Sequence, residues 1–289
     1  MQGVLLIDKD KGFTSHDVVA LCRKTLGIRK IGHCGTLDPM ATGVLPILIG
    51  KATKLSNYLM GQDKTYEGSL EFGYLTDTLD ADGEVLKTCD NKNFEKNEIL
   101  QAMEALTGEI DQVPPMYSAI KINGKKLYEY AREGKEVERK TRRVKIYSFD
   151  LLNFSNQRLD FRVSCSSGTY IRSLIGDLAE NLESFATLTS LKRIEVGSFK
   201  LEDCHSIEEL KEGKILPEDL IPLDKSLDME EVYLPDQLFY PLIYGQNVPY
   251  DLELKTEVKV FCQGKFIGIG FSPQKGSLRV KKRLLEMQR

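Results

Sequence analysis

Hydrophobic and polar positions alternate along this chain in two different periods. Leu159, Phe161, Val163 and Cys165 are separated by single polar residues, which predicts a half-buried strand, and Val4 to Ile7 form an apolar run typical of a buried strand. Helical periodicity follows Thr14 or Ser15, either of which can cap a helix that ends at Gly27. It recurs over 99–106, before Gly108, and over 171–182.

These elements follow one another without a strict strand–helix–strand rhythm, which favours an α+β fold over a doubly wound α/β fold. The pattern changes near Pro217 to Asp228. Beyond it, strand-like runs at 258–261 and 266–271 flank a Gln263-Gly264 turn. We therefore expect a larger domain over residues 1–225 and a small β module over 226–289.

The composition is that of an ordinary globular protein. No apolar run approaches the roughly 18 residues needed to cross a bilayer, and the first eight residues lack a basic region typical of a signal peptide. The six cysteines and three histidines are scattered without zinc-site spacing. These features predict a cytoplasmic protein without a membrane partner, a structural metal or a disulfide framework.

The net charge of −3 does not suggest a nucleic-acid partner, but the charge is unevenly distributed. Residues 67–111 contain twelve acidic residues and three lysines, whereas residues 114–149 contain ten basic residues and four glutamates. A basic stretch of this kind is either a solvated face or a contact surface for RNA phosphates.

The chain lacks the phosphate-binding loop, the dinucleotide-binding glycine pattern, and the zinc-protease and serine-hydrolase motifs. A reaction that depends on carboxylates and needs no cofactor is the economical alternative. Asp38 lies in a glycine-rich segment, and Pro39 biases it towards an extended conformation, which would present the carboxylate from a loop. By composition alone, an Asp-Pro turn in a glycine-rich connection is the favoured interpretation of this segment. Its sequence is Gly32-His33-Cys34-Gly35-Thr36-Leu37-Asp38-Pro39-Met40-Ala41-Thr42-Gly43-Val44-Leu45-Pro46.

This segment resembles the active-site loop of the TruB family of tRNA pseudouridine-55 synthases. The resemblance extends over at least residues 3–199, and more weakly to the end of the chain. It includes Gly3 to Lys9, Asp63-Lys64-Thr65-Tyr66, Thr76 to Gly83, Gln112 to Ala119, Gly124 to Tyr128, Gly168-Thr169-Tyr170-Ile171-Arg172 and Leu191-Lys192-Arg193.

The resemblance implies a pseudouridine synthase fold, with a central mixed, largely antiparallel sheet flanked by helices. The C-terminal module resembles a PUA-type RNA-binding module, and a supporting β-barrel is the alternative. Residues from about 116 to 145 resemble the thumb segment that closes over the T-arm of tRNA in this family. In that segment Tyr128 and Tyr130 alternate with basic residues.

Three residues match the family's catalytic set. Asp38 matches the catalytic aspartate, which can attack the sugar or the base, or act on the sugar 2′-proton. Arg172 matches the arginine that pairs with this aspartate, the alternative being a surface residue at a helix start. Tyr66 matches the tyrosine that stacks on the target base and can assist deprotonation at C5, the alternative being a core residue.

Four further residues match substrate-binding positions. His33 matches the histidine that takes part in extruding the nucleotide, and Tyr170 and Leu191 match residues that line the uracil pocket. Lys9 is grouped with them as a substrate-binding candidate, although, like Asp80, it can instead support the loop. Each of these residues can also be an ordinary loop or core residue.

The function that the resemblance implies is isomerisation of the T-loop uridine at position 55 of tRNA, by a monomer without metal or organic cofactor. Three alternatives stay open. The first is a non-catalytic tRNA-binding or tRNA-folding protein, and the second is a guide-RNA-dependent synthase that acts on ribosomal RNA. The third is an unrelated carboxylate enzyme that acts on sugars, which would need a second positioned acid.

Overall fold

A computed structural model describes residues 1–285. Over this range the chain forms seven α-helices and four short 3-10 helices. The α-helices are α1 (Ser15–Leu26), α2 (Ser56–Met60), α3 (Lys96–Ala105), α4 (Leu127–Arg132), α5 (Ile171–Asn181), α6 (Ile207–Lys211) and α7 (Phe239–Ile243). The 3-10 helices are Gly50–Leu55, Leu201–Asp203, Pro217–Asp219 and Asp236–Leu238.

The same residues form eighteen strands. In chain order these are β1 (Gly3–Lys9), β2 (Ile31–His33), β3 (Thr42–Ile49), β4 (Lys64–Phe72), β5 (Tyr74–Thr76), β6 (Val85–Thr88), β7 (Gly108–Gln112), β8 (Lys121–Ile122), β9 (Lys125–Lys126), β10 (Arg142–Ser155), β11 (Arg158–Cys165), β12 (Ala186–Val196), β13 (Phe199–Lys200), β14 (Glu231–Leu234), β15 (Val248–Pro249), β16 (Glu257–Cys262), β17 (Lys265–Phe271) and β18 (Ser277–Arg283).

A nine-stranded sheet forms the centre of the larger domain. Its main order is β1-β3-β12-β4-β11-β10-β7, with β2 and β13 paired to β3 and β12. The β3–β12 pair is parallel and the other pairs of this sheet are antiparallel. Helices α1, α3 and α5 contribute their apolar faces to the core that covers the sheet. The predicted α+β fold with a mixed, largely antiparallel sheet is confirmed.

The boundaries of α1 follow from side chains close to it in sequence. The Thr14 hydroxyl accepts a hydrogen bond from the Asp17 amide at 3.1 Å, and the Asp17 carboxylate accepts one from the Thr14 amide at 2.8 Å. This capping box satisfies amides that the first turn leaves free. At the other end Gly27 takes the left-handed conformation, with φ of 66°. Both predicted ends of this helix are confirmed.

The strand-rich C-terminal module is also confirmed. Five strands in the order β14-β16-β17-β18-β15 surround a small apolar core. The module packs directly against the first domain, because Ile269 and Leu284 join the apolar cluster that contains Val4 and Leu6. The Lys259 ammonium adds a hydrogen bond to the Asp224 carbonyl at 2.9 Å.

None of the helices within residues 1–285 combines the length and the apolar character needed to cross a bilayer.

The close approach of β3 and β12 requires glycine at position 43. Gly43 has φ of +101° and pairs with Arg193, and a Cβ atom added to it would lie 2.1 Å from the Arg193 carbonyl oxygen. Because that oxygen belongs to the backbone of a central strand, it cannot yield as a flexible side chain would. Any larger residue here would separate two strands at the middle of the sheet.

We therefore expect Gly43→Ala to lower the free energy of unfolding by at least about 2 kcal/mol, from overpacking and an unfavourable φ. Urea denaturation would measure the change. Gly176→Ala is the matched control, because this α5 position has no atom within 4 Å of an added Cβ. The control should be neutral or stabilising by about 0.5–1 kcal/mol. Equal stability of Gly43→Ala and the wild type would contradict the argument.

Candidate active site

The loop over residues 34–41 connects β2 to β3 and is fixed by backbone contacts. The Ser15 hydroxyl accepts a hydrogen bond from the Leu37 amide at 2.9 Å and donates one to the Leu37 carbonyl at 3.2 Å. The Gly12 amide donates to the Pro39 carbonyl at 2.8 Å. The start of α1 and the segment before it therefore determine where Asp38 lies.

Lys9 is buried beneath this loop. Its side chain has no exposed surface, and its ammonium donates to the carbonyls of Phe13 at 2.7 Å, Asp10 at 3.0 Å and Pro39 at 3.4 Å. Burial lowers the pKa of Lys9 to about 8, against the opposing charge of Asp38. These contacts favour the alternative interpretation of Lys9, which is support of the loop that carries Asp38.

Asp38 and Arg172 form a close ion pair. The Arg172 Nη2 atom lies 2.8 Å from the Asp38 Oδ2 atom, and Nη1 lies 3.6 Å from the Asp80 Oδ2 atom. The guanidinium also donates to the carbonyls of Thr78 at 2.9 Å and Tyr117 at 2.8 Å. Arg172 is 5% exposed, whereas the Asp38 side chain is 37% exposed. The ion pair thus fixes one oxygen of the carboxylate, while part of the Asp38 side chain stays exposed.

Arg172 is positioned by the first turn of α5. Just before that helix, the Gln112 side chain accepts a hydrogen bond from the Tyr170 amide at 2.7 Å and donates one to the Tyr170 carbonyl at 3.1 Å. One residue after Arg172, the Ser173 hydroxyl donates to the Val113 carbonyl at 2.8 Å. These contacts connect the start of α5 to the end of β7.

The charges around Asp38 act on its pKa in opposite directions. Burial raises the pKa of Asp38 above its ordinary value, and the nearby Asp80 carboxylate raises it further. Arg172, and more weakly Lys9, favour the ionised form and limit this rise. Arg172 is therefore the strongest of the groups that favour the ionised form of Asp38.

The open side of Asp38 faces a cleft of about 270 Å³. Besides Asp38 and Arg172, three predicted residues line this cleft, namely Tyr66, Tyr170 and Leu191. Tyr66 lies on β4 and Leu191 on the neighbouring β12, where it pairs with Gly68. Alternate residues of a strand point to the same face, so these two side chains belong to one side of the sheet.

The sequence reasoning missed two cationic residues of the same cleft. Arg193 is 1% exposed and Lys64 is 7% exposed, and both line the cleft. Arg193 donates to the carbonyls of Val44 at 2.8 Å and Gly35 at 3.0 Å. The two-residue period of a strand was the available signal, because Arg193 follows Leu191 by two positions and Lys64 precedes Tyr66 by two.

His33 lies outside this cleft, on β2 beside the catalytic loop. Its ring packs edge-on against His16, with the centroids 5.2 Å apart. Burial, together with His16 and Arg193, lowers the pKa of His33 to about 4, so the ring is neutral at pH 7. Its Nδ1 atom is buried and has no hydrogen-bond partner among residues 1–285.

A larger cleft of about 610 Å³ lies behind α5, with Asp177 in its lining. None of the predicted site residues lines it, so the candidate active site is identified by its residues and not by the volume of its cleft. Within residues 1–285 no group of three or more His, Cys, Asp or Glu side chains is arranged to hold a metal ion.

This chain is similar to known proteins over nearly its whole length. Residues 23–171 match the family model described as TruB family pseudouridylate synthase, N-terminal domain. Residues 231–285 match the model described as pseudouridine synthase II TruB, C-terminal. The tRNA pseudouridine synthase B of Clostridium perfringens strain 13 is 42% identical and covers 99% of this chain and 100% of its own. That of Geobacillus thermodenitrificans is 51% identical over 73% of this chain and 72% of its own.

Solved structures show the same fold at lower identity. A structure titled as a Cbf5-Nop10-Gar1 complex aligns with a TM-score of 0.73 and 26% identity, over 95% of this chain and 79% of the other. A structure of an H/ACA RNP bound to a substrate RNA aligns with a TM-score of 0.74 and 24% identity, over 98% and 85% of the two chains. With both family models and relatives matched over nearly its whole length, the chain belongs to the TruB family of pseudouridine synthases.

Proposed function

We propose that this enzyme isomerises the T-loop uridine at position 55 of tRNA to pseudouridine, with Asp38 as the catalytic carboxylate. The observation that carries the proposal is the position of Asp38, which forms an ion pair with Arg172 and lines the same cleft as Tyr66. The names of the related proteins, tRNA pseudouridine synthase B, support tRNA as the substrate class.

The proposed reaction breaks the N-glycosidic bond, turns the uracil and rejoins it to the ribose through C5. Asp38 starts it by attacking the sugar or the base, or by acting on the 2′-proton, and each route uses the carboxylate in its ionised form. Arg172 keeps the carboxylate charged and oriented through a fork that lysine could not reproduce. Tyr66, Tyr170 and Leu191 supply aromatic and apolar surface to hold the uracil outside the RNA stack.

The target uridine must leave the RNA stack to reach this cleft. We propose that His33, with its neutral ring at the edge of the catalytic loop, occupies or stacks in the space that the nucleotide vacates. A neutral imidazole suits this role, because it can face the bases without attracting a phosphate.

The basic thumb segment, residues 116–145, is proposed to hold the T-arm. Its short α4 helix and the β8–β9 hairpin carry cations above aromatic rings, with the Lys125 ammonium 4.7 Å from the centre of the Tyr130 ring. Lys126 and Arg132 lie 5.2 and 5.4 Å from the centre of the Tyr128 ring. Such clusters combine phosphate contacts with surfaces for stacking.

We further propose a division into a catalytic domain over 1–225 and a C-terminal module over 226–289, acting as a cytoplasmic monomer. A monomer is supported by the site itself, since one chain supplies Asp38, Arg172 and Tyr66. The cytoplasm is supported by the proposed tRNA substrate and by six cysteines that are all unbridged.

Tritium release from tRNA transcripts labelled at C5 of uridine tests the reaction. The wild type should release tritium, because rejoining through C5 displaces that hydrogen. Asp38→Asn should abolish release, since the amide keeps the shape and loses the charge. A transcript with cytidine at position 55 should also release none. Tight, salt-sensitive tRNA binding without release would indicate a tRNA-folding protein instead, and release that survives Asp38→Asn would refute the assignment of Asp38.

The charges around Asp38 predict opposite shifts in the pH profile of two variants. Arg172→Lys weakens the group that lowers the Asp38 pKa, so the acidic limb of the single-turnover rate should move to higher pH by roughly one unit. Asp80→Asn removes a charge that raises this pKa, so the limb should move to lower pH. Circular dichroism would verify that both variants fold. Shifts in the same direction would contradict Asp38 as the titrating group.

Limited trypsin digestion tests the thumb segment. Residues 116–145 should be cut readily in the free protein and protected by tRNA, because phosphate contacts would cover the basic side chains. An RNA duplex of similar length without a T-loop serves as the control and should protect weakly. Equal cleavage with and without tRNA would refute the assignment of this segment.

A further inference from the structure

Arg193 occupies the point where the catalytic loop, β12 and β4 meet. On one side it pairs with Gly43 at the start of β3, and on the other with Tyr66 on β4. Its guanidinium donates to the Gly35 and Val44 carbonyls, one on each side of the loop that carries Asp38. A residue with these contacts cannot move independently of either Asp38 or Tyr66.

The guanidinium lies on the same face of the sheet as the Tyr66 ring. The side chain of Tyr66 is buried, Arg193 is its cross-strand partner on β12, and both residues line the cleft. Arginine has five N–H donors and no acceptor, so after the two carbonyls it retains donors for this oxygen. Donors of Arg193 are therefore left over for the phenolic oxygen of its cross-strand partner.

The charge of Arg193 is not neutralised by a direct ion pair. Among the ion pairs within residues 1–285, Arg172 has both Asp38 and Asp80 as partners, whereas none includes Arg193. Its positive charge therefore acts on the Val44 and Gly35 carbonyls and on the cleft that it lines. In a buried site such a charge acts more strongly than it would in water.

We propose that Arg193 is a positioning residue that acts through Tyr66, donating a hydrogen bond to the phenolic oxygen and favouring the phenolate that removes the C5 proton of the rejoined uracil. This inference rests on the proposed pseudouridine synthase activity. Burial raises the pKa of Tyr66, the charge of Asp38 raises it further, and Arg193 is the strongest opposing group. A tyrosine in this cleft thus needs a neighbouring cation to serve as a base.

The proton step is balanced without a cofactor. When C5 of the detached uracil anion bonds to C1′, C5 carries both the ribose and its original hydrogen, and a double bond joins C6 to N1. The Tyr66 phenolate takes that hydrogen as a proton, and the electron pair of the C5–H bond forms the C5=C6 double bond. The former C6=N1 pair moves to N1, which takes a proton from solvent, and Tyr66 returns its proton to solvent.

Single-turnover kinetics with transcripts carrying hydrogen or deuterium at C5 test this role. Arg193→Met should slow the reaction on the order of 10²-fold and increase the deuterium isotope effect, because loss of the C5 proton becomes limiting. Arg193→Lys, which keeps a positive charge at this position, should slow the reaction less than Arg193→Met. The double variant Arg193→Met/Tyr66→Phe should react no more slowly than Tyr66→Phe alone, since both substitutions remove the same step.

Lys192→Met is the matched control on the same strand. Its ammonium is half-exposed and lies 3.8 Å from an Asp8 carboxylate oxygen, outside the cleft lining. This variant should keep the wild-type rate and isotope effect.

A spectroscopic titration tests the contact without relying on turnover. Ultraviolet absorbance of tyrosinate reports each phenol, and subtracting the matching Tyr66→Phe variant isolates Tyr66 from the other tyrosines. Arg193→Met and Arg193→Lys should each move the Tyr66 titration to higher pH, so the inference stays testable if only the lysine variant folds.

The outcomes separate the two proposals. An unmoved Tyr66 titration, or an additive rate loss with an unchanged isotope effect, would mean that Arg193 only braces the loop, and the inference would be wrong. If the wild type releases no C5 hydrogen, the proposed function fails, while the titration still decides the Arg193–Tyr66 contact.

Discussion

The arrangement of the whole site depends on the ion pair between Asp38 and Arg172. A guanidinium that is 5% exposed has lost most of its hydration, and only well-placed acceptors offset that loss. Asp38, Asp80 and two backbone carbonyls supply those acceptors here. If the loop or α5 shifted, the arginine would lose a partner in the interior, so the site tolerates little movement of either element.

The central sheet provides the necessary rigidity. The parallel pairing of β3 with β12 places the end of the catalytic loop beside Arg193, and the antiparallel pairing of β12 with β4 places Arg193 beside Tyr66. Gly43 allows the first of these contacts, since a side chain there would meet the Arg193 backbone. Lys9 completes the support from below by binding carbonyls of the loop and of the segment before α1. The positions of the site residues therefore depend on strand pairing in the middle of the sheet as much as on the loop that carries Asp38.

The parts of the fold that were predictable from sequence are those that depend on nearby residues. The ends of α1 follow from the Thr14–Asp17 capping box and Gly27, and β11 follows from simple alternation. The orientation of Lys9 was not predictable, because a lysine at the end of a strand is normally solvated and only the loop packed above it shows otherwise. The contact of Arg172 with Asp80 was not predictable either, since it joins the start of α5 to a turn far away in sequence. Arg193 depends in the same way on two strand pairings, although the spacing from Leu191 indicated its face.

Asp38 and Tyr66 have opposite protonation requirements in the proposed reaction, and the arrangement of cations suits both. The carboxylate must be charged before the glycosidic bond breaks, whereas the phenolate is needed only once the uracil has rejoined. A single cation shared by both groups would couple the two ionisations, because the charge of Asp38 raises the pKa of Tyr66. In the structure Arg172 pairs with Asp38, and Arg193 is the cross-strand partner of Tyr66, so each acid has its own neighbouring cation. Environments that differ in this way let neighbouring acids take different roles at one pH.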